Sequence, residues 1–383
     1  MEAIKGFKDS WILTETGFQK TNLIIDKDII SSIGSKIVDG LIKLDDELIV
    51  IPGFIDQHIH GAMGADFIDG NIRDVQLIAR TLPQEGATAF LAATTTQSIE
   101  VIDKSLVALK EYINKKDAKG AELLGIHLEG PFISKKYMGA QLPNYIIKPS
   151  VEIFKHFETV SDNNIKLVTL ACEEEGAMEL INYLNQKKII TSIGHSAASY
   201  NDVKNAINYG ATCVTHTYNG MKPLRRDDIG MVGSTYLFDK LYSELICDGI
   251  HVSIPAVELL WKNKPADKVI LISDALRTKY MPDGKYYELE QVIVLKGKEA
   301  RLEDGKLAGS VLKINEAVKN LMDFTGCSLI NAVNAASANP AKNLGLFDKM
   351  GSIKENKLAN LVVVDKNLNV YLTIRNGLII YKK

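Results

Sequence analysis

Six of the seven histidines in this chain, together with several carboxylates, stand where runs of apolar residues stop. The run from Ile49 closes in Asp56-Gln57-His58-Ile59-His60, and the run from Leu123 closes in His127-Leu128-Glu129-Gly130-Pro131. Later runs close in Gly194-His195-Ser196, Thr215-His216-Thr217 and Asp248-Gly249-Ile250-His251, and Val269 to Ser273 delivers Asp274; only His156 stands outside the pattern. Imidazole nitrogens and carboxylate oxygens are ligands for divalent cations. Their arrival at the ends of successive strands is how a (β/α)8 barrel builds a metal site on its C-terminal face. The chemistry this predicts is metal-dependent hydrolysis.

His58 and His60 are two apart, so on an extended strand both imidazoles fall on one side and can face one cation. Glu129 is left at a strand tip because Gly130-Pro131 stops the strand, and His127, two residues earlier, reads as an orienting neighbour rather than a ligand. His195 and His216 each close an apolar run and open a polar turn. Asp274, at the end of the last run, can hold an attacking water as well as a metal. Each of these alone could be a solvated loop residue or a satisfied structural histidine. Glu129, His195, His216 and Asp274 at four strand ends together supply a nitrogen and oxygen ligand set with room for water.

Eight apolar runs of barrel-strand length carry these residues: Ile49 to His60, Ala87 to Thr94, Leu123 to Glu129, Ile165 to Glu173, Ile189 to His195, Thr212 to His216, Ser243 to Asp248 and Val269 to Asp274. Most gaps hold a helical stripe, as at residues 75–82, 179–184 and 203–208. The fold predicted is an α/β (β/α)8 TIM-type barrel over residues 53–352. Strand-like texture at both chain ends, with an Asn376-Gly377 turn, predicts a small β-sandwich domain formed by residues 1–52 and 353–383. Alternation from Tyr280 to Arg301 does not suit a barrel helix and is read as an insertion. The loop from Pro131 to Ser150 has the length at which barrels place substrate contacts.

At 383 residues the chain can fill a barrel and a modest second domain, and its net charge of −2, with both signs interspersed, gives no footprint for nucleic acid or an anionic membrane. The N-terminal residues lack the apolar stretch of a signal peptide and no run is long enough to span a bilayer, so a cytoplasmic protein is expected. The four cysteines are scattered without CxxC spacing, and the three inside apolar strand-like runs read as reduced, buried thiols.

A resemblance then covers nearly the whole chain. Residues Ile51 to Gly61 (IPGFIDQHIHG), His127 to Phe132 (HLEGPF), Gly139-Ala140-Gln141, Gly194-His195, His216 to Met221 (HTYNGM), Asp248 to His251 (DGIH), Asp274 to Arg277 (DALR), Leu307 to Ser310 (LAGS) and Asn339-Pro340-Ala341 occur in the order found in the N-acetylglucosamine-6-phosphate deacetylases. This is a branch of the amidohydrolase superfamily. The resemblance implies hydrolysis of the acetamide of N-acetylglucosamine 6-phosphate to glucosamine 6-phosphate and acetate. It implies that Glu129, His195 and His216 hold a divalent metal, that His58 and His60 allow a second ion, and that Asp274 is the proton-transferring group. One or two ions per subunit follow, with zinc or iron foremost and manganese or cobalt also suited to this ligand set.

For the substrate, the resemblance implies contacts from Gln141, where some relatives carry histidine, and from Asn219, Gly220, His251 and Leu307. Relatives commonly place an arginine where this chain has Asp227, and Arg226, one residue earlier, is the candidate to meet the phosphate. Because that arginine can cross a subunit interface in the family, a homodimer is expected. The epimeric N-acetylgalactosamine 6-phosphate, or another N-acetyl amino sugar, is the alternative substrate. A hydantoinase-type cyclic amidase is disfavoured because Cys172-Glu173, not lysine, ends the fourth run. A non-catalytic binding module of the same fold would need a broken ligand set, and the sequence has none.

Overall fold

The computed structural model describes residues 2–288 and 290–383. Eight parallel strands, Phe54–Ile59, Ala87–Ala93, Glu122–Glu129, Ile165–Leu170, Ile190–Ile193, Cys213–Val214, Tyr242–Ile246 and Val269–Ile272, pair in chain order. The last strand meets the first through the Asp274 N–H, which donates to His58 O at 2.8 Å, and the cylinder closes. Between the strands run amphipathic helices that bury one face against the barrel. Tyr200–Tyr209 shows why such segments are helical: Ser199 and Asp202 form a reciprocal capping box, Gly210 ends the helix at φ 119°, and Val203 and Ala206 are the buried stripe. A cap of this kind is worth about 1 kcal/mol. Helices Ile314–Thr325, Leu329–Ala336 and Ala338–Asn343 complete the outer layer.

The apolar run from Ile49 to His60, expected as one strand, is two strands in different sheets. Ile49–Pro52 pairs with Leu361–Val364 on one side and with Gly6–Thr14 on the other, whereas Phe54–Ile59 pairs with Ala87–Ala93 in the barrel. Both halves are buried, so hydrophobicity does not mark the switch. Gly53 makes it, at a point where a Cβ would lie 2.4 Å from the Thr88 side chain.

The remaining terminal strands join Ile49–Pro52 in one continuous sheet, in the order Leu378–Lys382, Val370–Arg375, Leu361–Val364, Ile49–Pro52, Gly6–Thr14, Gly17–Asp26, Ile29–Gly34. A bulge between Phe7 and Ser10 bends it. The sheet wraps on itself: Ile30 and Ile374, from strands far apart in its order, share one apolar cluster with Phe7, Ile12, Leu23 and Val363. Gly377 sits so close to Lys27 that a Cβ would stand 2.3 Å from the Lys27 carbonyl oxygen. The insertion is a three-stranded antiparallel sheet, Gly284–Glu288, Gln291–Lys296 and Glu299–Leu302, packed through Ile293, Leu295 and Ala300 on Leu276. Among the described residues no helix is long and apolar enough to cross a membrane.

Candidate metal centre

His195, His216 and Asp274 each lie two residues beyond the end of their strand, and all three have left-handed backbones, at φ 46°, 30° and 48°. Such conformations cost on the order of 1–3 kcal/mol each for residues other than glycine. They turn the chain at the barrel mouth. The loop around His195 is braced by Glu173, which accepts from the Ser196 hydroxyl and the Ala197 N–H.

Two triads of buried side chains result, His58, His60 and Asp274 in one and Glu129, His195 and His216 in the other. In the first, His58 Nε2 is 3.3 Å from His60 Nε2 and 3.4 Å from Asp274 Oδ1, and His60 Nε2 is 3.2 Å from the same oxygen. In the second, His216 Nε2 is 3.1 Å from both Glu129 Oε1 and His195 Nε2. Glu129 joins the triads: Oε1 lies 3.5 Å from His58 Nε2 and Oε2 lies 3.3 Å from His60 Nε2.

These donors fit metal ions. His195 Nδ1 donates to Tyr137 O at 2.9 Å and His216 Nδ1 donates to Asn219 O at 3.1 Å, so in their neutral forms both Nε2 atoms present bare lone pairs to each other. Two lone pairs 3.1 Å apart repel unless a cation or proton lies between them. Nitrogen ligands bound tetrahedrally at about 2.0–2.1 Å stand about 3.3 Å from one another, which is close to the spacing found.

The metal-free electrostatics describe the same competition. Burial disfavours charge on His60, yet hydrogen bonds to Asp274 and Glu129 and their negative charge outweigh it and raise its pKa to about 10. His58 is likewise raised despite burial, by the charges of Glu129 and Asp274. Burial pushes the Glu129 and Asp274 carboxyls up, but the positive charge of His58 and the histidine hydrogen bonds hold both below the usual carboxylate range. Protons therefore occupy the metal-free centre and must leave when metal enters. His127 is different: burial and the neighbouring His58 charge depress it, its Nε2 pairs with Thr169 Oγ1 at 2.7 Å, and its ring meets His58 edge-on at 4.3 Å.

The triads open into a cavity of 150 Å³ lined by His60, Glu129, His195, His216, Asp274, Gln141, Asn219, Gly220, His251 and Leu307, with Glu288 and Gln291 from the insertion. Asn219 Nδ2 is buried there without a hydrogen-bond partner. His251 has both nitrogens engaged, Nδ1 with Asp248 Oδ2 at 2.6 Å and Nε2 with Ala308 O at 3.0 Å. Two acceptors require two N–H groups, and although burial lowers the His251 pKa, the Asp248 carboxylate outweighs it and raises it. Arg226 is exposed on the loop before Gly230 and does not line the cavity of its own chain. The cause is the loop's own charge pattern, in which Asp228 pairs with Lys222 at 2.6 Å and Asp227 with Arg225 at 3.4 Å, leaving Arg226 no inward partner. No lysine or arginine lines the cavity among the described residues.

Three functional neighbours escaped the sequence reading. Glu244, fully buried in the seventh barrel strand, accepts from His58 Nδ1 at 3.1 Å. Glu288 is tied to Arg277 Nε at 3.4 Å, and Gln291 Nε2 donates to Ala140 O at 2.9 Å, so the insertion grips the 131–150 loop. A glutamate inside the apolar stretch Tyr242 to Cys247 was the available signal for the first; nothing local marked the other two. Lys279, shortly after Asp274 in the chain, is wholly buried against Glu85 at 2.6 Å.

The model for the amidohydrolase family matches residues 49–380. An N-acetylglucosamine-6-phosphate deacetylase from Bacillus subtilis (strain 168) is 42% identical over 331 residues, which is 86% of this chain and 84% of that one. An N-acetylgalactosamine-6-phosphate deacetylase from Escherichia coli O157:H7 is 32% identical over 94% of both chains. Among solved structures, a mutant N-acetyl-D-glucosamine-6-phosphate deacetylase from Mycobacterium smegmatis, in complex with N-acetyl-D-glucosamine-6-phosphate, superposes with a TM-score of 0.93 at 25% identity and full coverage of both chains.

Proposed function

This chain belongs to the amidohydrolase family, and we infer that it is an N-acetylglucosamine-6-phosphate deacetylase, hydrolysing the acetamide of that sugar phosphate to glucosamine 6-phosphate and acetate. The observation that carries the site-level reading is the pair of facing Nε2 atoms on His195 and His216, joined by Glu129 to a second triad and open to one cavity.

Glu129, His195 and His216 would hold one divalent cation and His58, His60 and Asp274 a second, with Glu129 shared between them. A cation bound there supplies acidified water near neutral pH and a positive charge for the acyl oxygen. Asp274, low in pKa and facing the cavity, is placed to accept the proton of the attacking water. It then returns that proton to the amide nitrogen, which leaves only once protonated. Gln141 offers an N–H to the acyl oxygen and Asn219 an unpartnered N–H to the sugar.

Among the described residues the cavity wall offers the phosphate no lysine or arginine, and the His251 charge is paired with Asp248 with both its N–H groups engaged. A homodimer in which a second copy presents its exposed Arg226 would complete the phosphate pocket. Zinc or iron is the proposed metal. Acetate release from N-acetylglucosamine 6-phosphate, the unphosphorylated sugar and N-acetylgalactosamine 6-phosphate, measured on metal-free protein reloaded with each metal, tests the whole reading. Metal-dependent turnover favouring the first substrate is the expected result. Preference for the galactosamine epimer would reassign the substrate, and no turnover with any metal would overturn the assignment.

A further inference from the structure

A polar chain crosses the barrel interior and ends on His58. Asn343 Nδ2, in the last outer helix, donates to Gln57 Oε1 at 3.1 Å; Gln57 Nε2 donates to Glu244 Oε1 at 2.6 Å; and His58 Nδ1 donates to Glu244 Oε2 at 3.1 Å. Gln57, His58 and Glu244 are each wholly buried. The members come from the first barrel strand, the seventh barrel strand and the Ala338–Asn343 helix, so the fold assembles the chain and no local sequence does.

The direction of each hydrogen bond follows from chemistry. An ionised carboxylate only accepts, and the wholly buried Glu244 meets two side-chain donors and the His216 N–H at 3.4 Å. Gln57 must therefore turn its amide N–H toward Glu244, which leaves its oxygen facing Asn343, where an amide N–H meets it. At the other end the Glu244 carboxylate fixes the proton of His58 on Nδ1. The lone pair on Nε2 then faces His60, Asp274 and Glu129.

We propose that Glu244 is the positioning residue for the second cation, and that Gln57 and Asn343 act through it by holding the polarity of the chain. The inference rests on reading His58, His60 and Asp274 as a cation site. It assigns to Glu244 no contact with substrate: its effect is to hold one tautomer and one ring orientation of His58, the kind of support whose loss typically lowers metal affinity about 10–100-fold.

The substitution Glu244→Gln removes the charge that fixes the polarity of the chain: the new amide N–H meets a donor at His58 Nδ1, or meets Gln57 Nε2 unless the Gln57 and Asn343 amides both flip. Paired with Gln57→Glu, the conflict disappears: the new amide at 244 donates to the new carboxylate at 57 and offers its oxygen to His58, while the carboxylate at 57 still accepts from Asn343. The test is zinc stoichiometry and affinity of the full-length protein, titrated against a competing chelator, with unfolding temperature followed in parallel. Wild type should bind two ions per subunit. Glu244→Gln should keep one and lose at least about 10-fold in affinity for the other, and the double variant should recover it. Should Glu244→Gln fail to fold, Asn343→Ala, at the partly exposed end of the chain, should weaken the second ion alone.

Undiminished binding of both ions by Glu244→Gln and Asn343→Ala overturns the proposal, as does failure of the double variant to recover the second ion. A wild-type stoichiometry of one is a different result. It would remove the two-ion reading itself, and the inference with it.

Discussion

Gln141 donates an amide N–H to Glu129 Oε2 at 3.1 Å while its own oxygen accepts from the Thr95 hydroxyl at 2.7 Å and the Thr96 N–H at 2.8 Å. The amide cannot flip without losing all three contacts, so its remaining N–H is held toward the cavity that Gln141 lines. Gln141→Ala should lower kcat about 100-fold, the scale of one lost oxyanion donor, with metal content nearly unchanged. Acetate release and metal analysis on one preparation check this; unchanged kcat would place the acyl oxygen elsewhere.

Gly220 packs against His195 so closely that a Cβ would stand 2.7 Å from Nδ1, the atom that donates to Tyr137 O. The backbone there is also left-handed, at φ 58°. Gly220→Ala should displace the His195 ring and weaken metal binding at the Glu129 triad by about 10-fold or more. Chelator titration of the variant reads this directly, and wild-type affinity would show that the loop yields instead.

Asp274→Asn preserves shape but removes the proton acceptor and a charged ligand of the His58 triad. With metal content matched to wild type, turnover should fall about 10²–10⁴-fold while KM changes little, since the sugar-binding groups are untouched. A large rise in KM with kcat preserved would make Asp274 a binding residue rather than a proton carrier.

The metal-free protein should be least stable at the pH extremes, for separable reasons. The folded pKa of His60, about 10 against an ordinary 6.5, contributes stability that is complete below pH 6.5 and is lost as pH rises through 10. The depressed Glu129 and Asp274 contribute stability present above their ordinary values of 4.5 and 3.8 and lost as pH falls further. Thermal melts with chelator from about pH 2 to 11 should decline on both limbs. Bound metal replaces the His60 proton, so loading should flatten the alkaline limb; identical limbs with and without metal would refute the linkage.

Arg226→Ala should raise KM for the phosphorylated sugar and leave the unphosphorylated sugar unaffected, if a second copy supplies this group. Sedimentation of the active enzyme should then show dimers. Equal kinetics for variant and wild type would leave Asn219 and backbone donors as the phosphate contacts, since both His251 N–H groups are already engaged.

How much of this was legible follows from which forces act locally. The eight barrel strands could be counted because strands covered on both faces read as unbroken apolar runs, and their ends showed because polar residues begin where burial against helices stops. Yet the runs overshot: Thr212 to His216 contains a strand of only Cys213 and Val214, and the histidine beyond it sits on a strained turn whose φ no composition reveals. The switch of sheet at Gly53 was hidden because Ile51 and Phe54 are equally apolar and equally buried. Glu244 was missed for a related reason. Its partner His58 is 186 residues away, and only closure of the barrel makes an inward carboxylate something other than an anomaly. Arg226 is exposed on the turn from Lys222 to Gly230, and whether it meets a phosphate depends on a second copy, which one chain's sequence does not show.

The strand that leads into His58 is preceded by Ile49–Pro52, whose neighbour on one side is Leu361–Val364. During synthesis that pairing must wait until the ribosome has passed residue 364, and closing so long a loop is entropically slow. The strand of His58 itself pairs early, with Ala87–Ala93. Its triad is completed only by Asp274, so a nascent chain carries all of Glu129, His195 and His216 before the other ligand set exists in full.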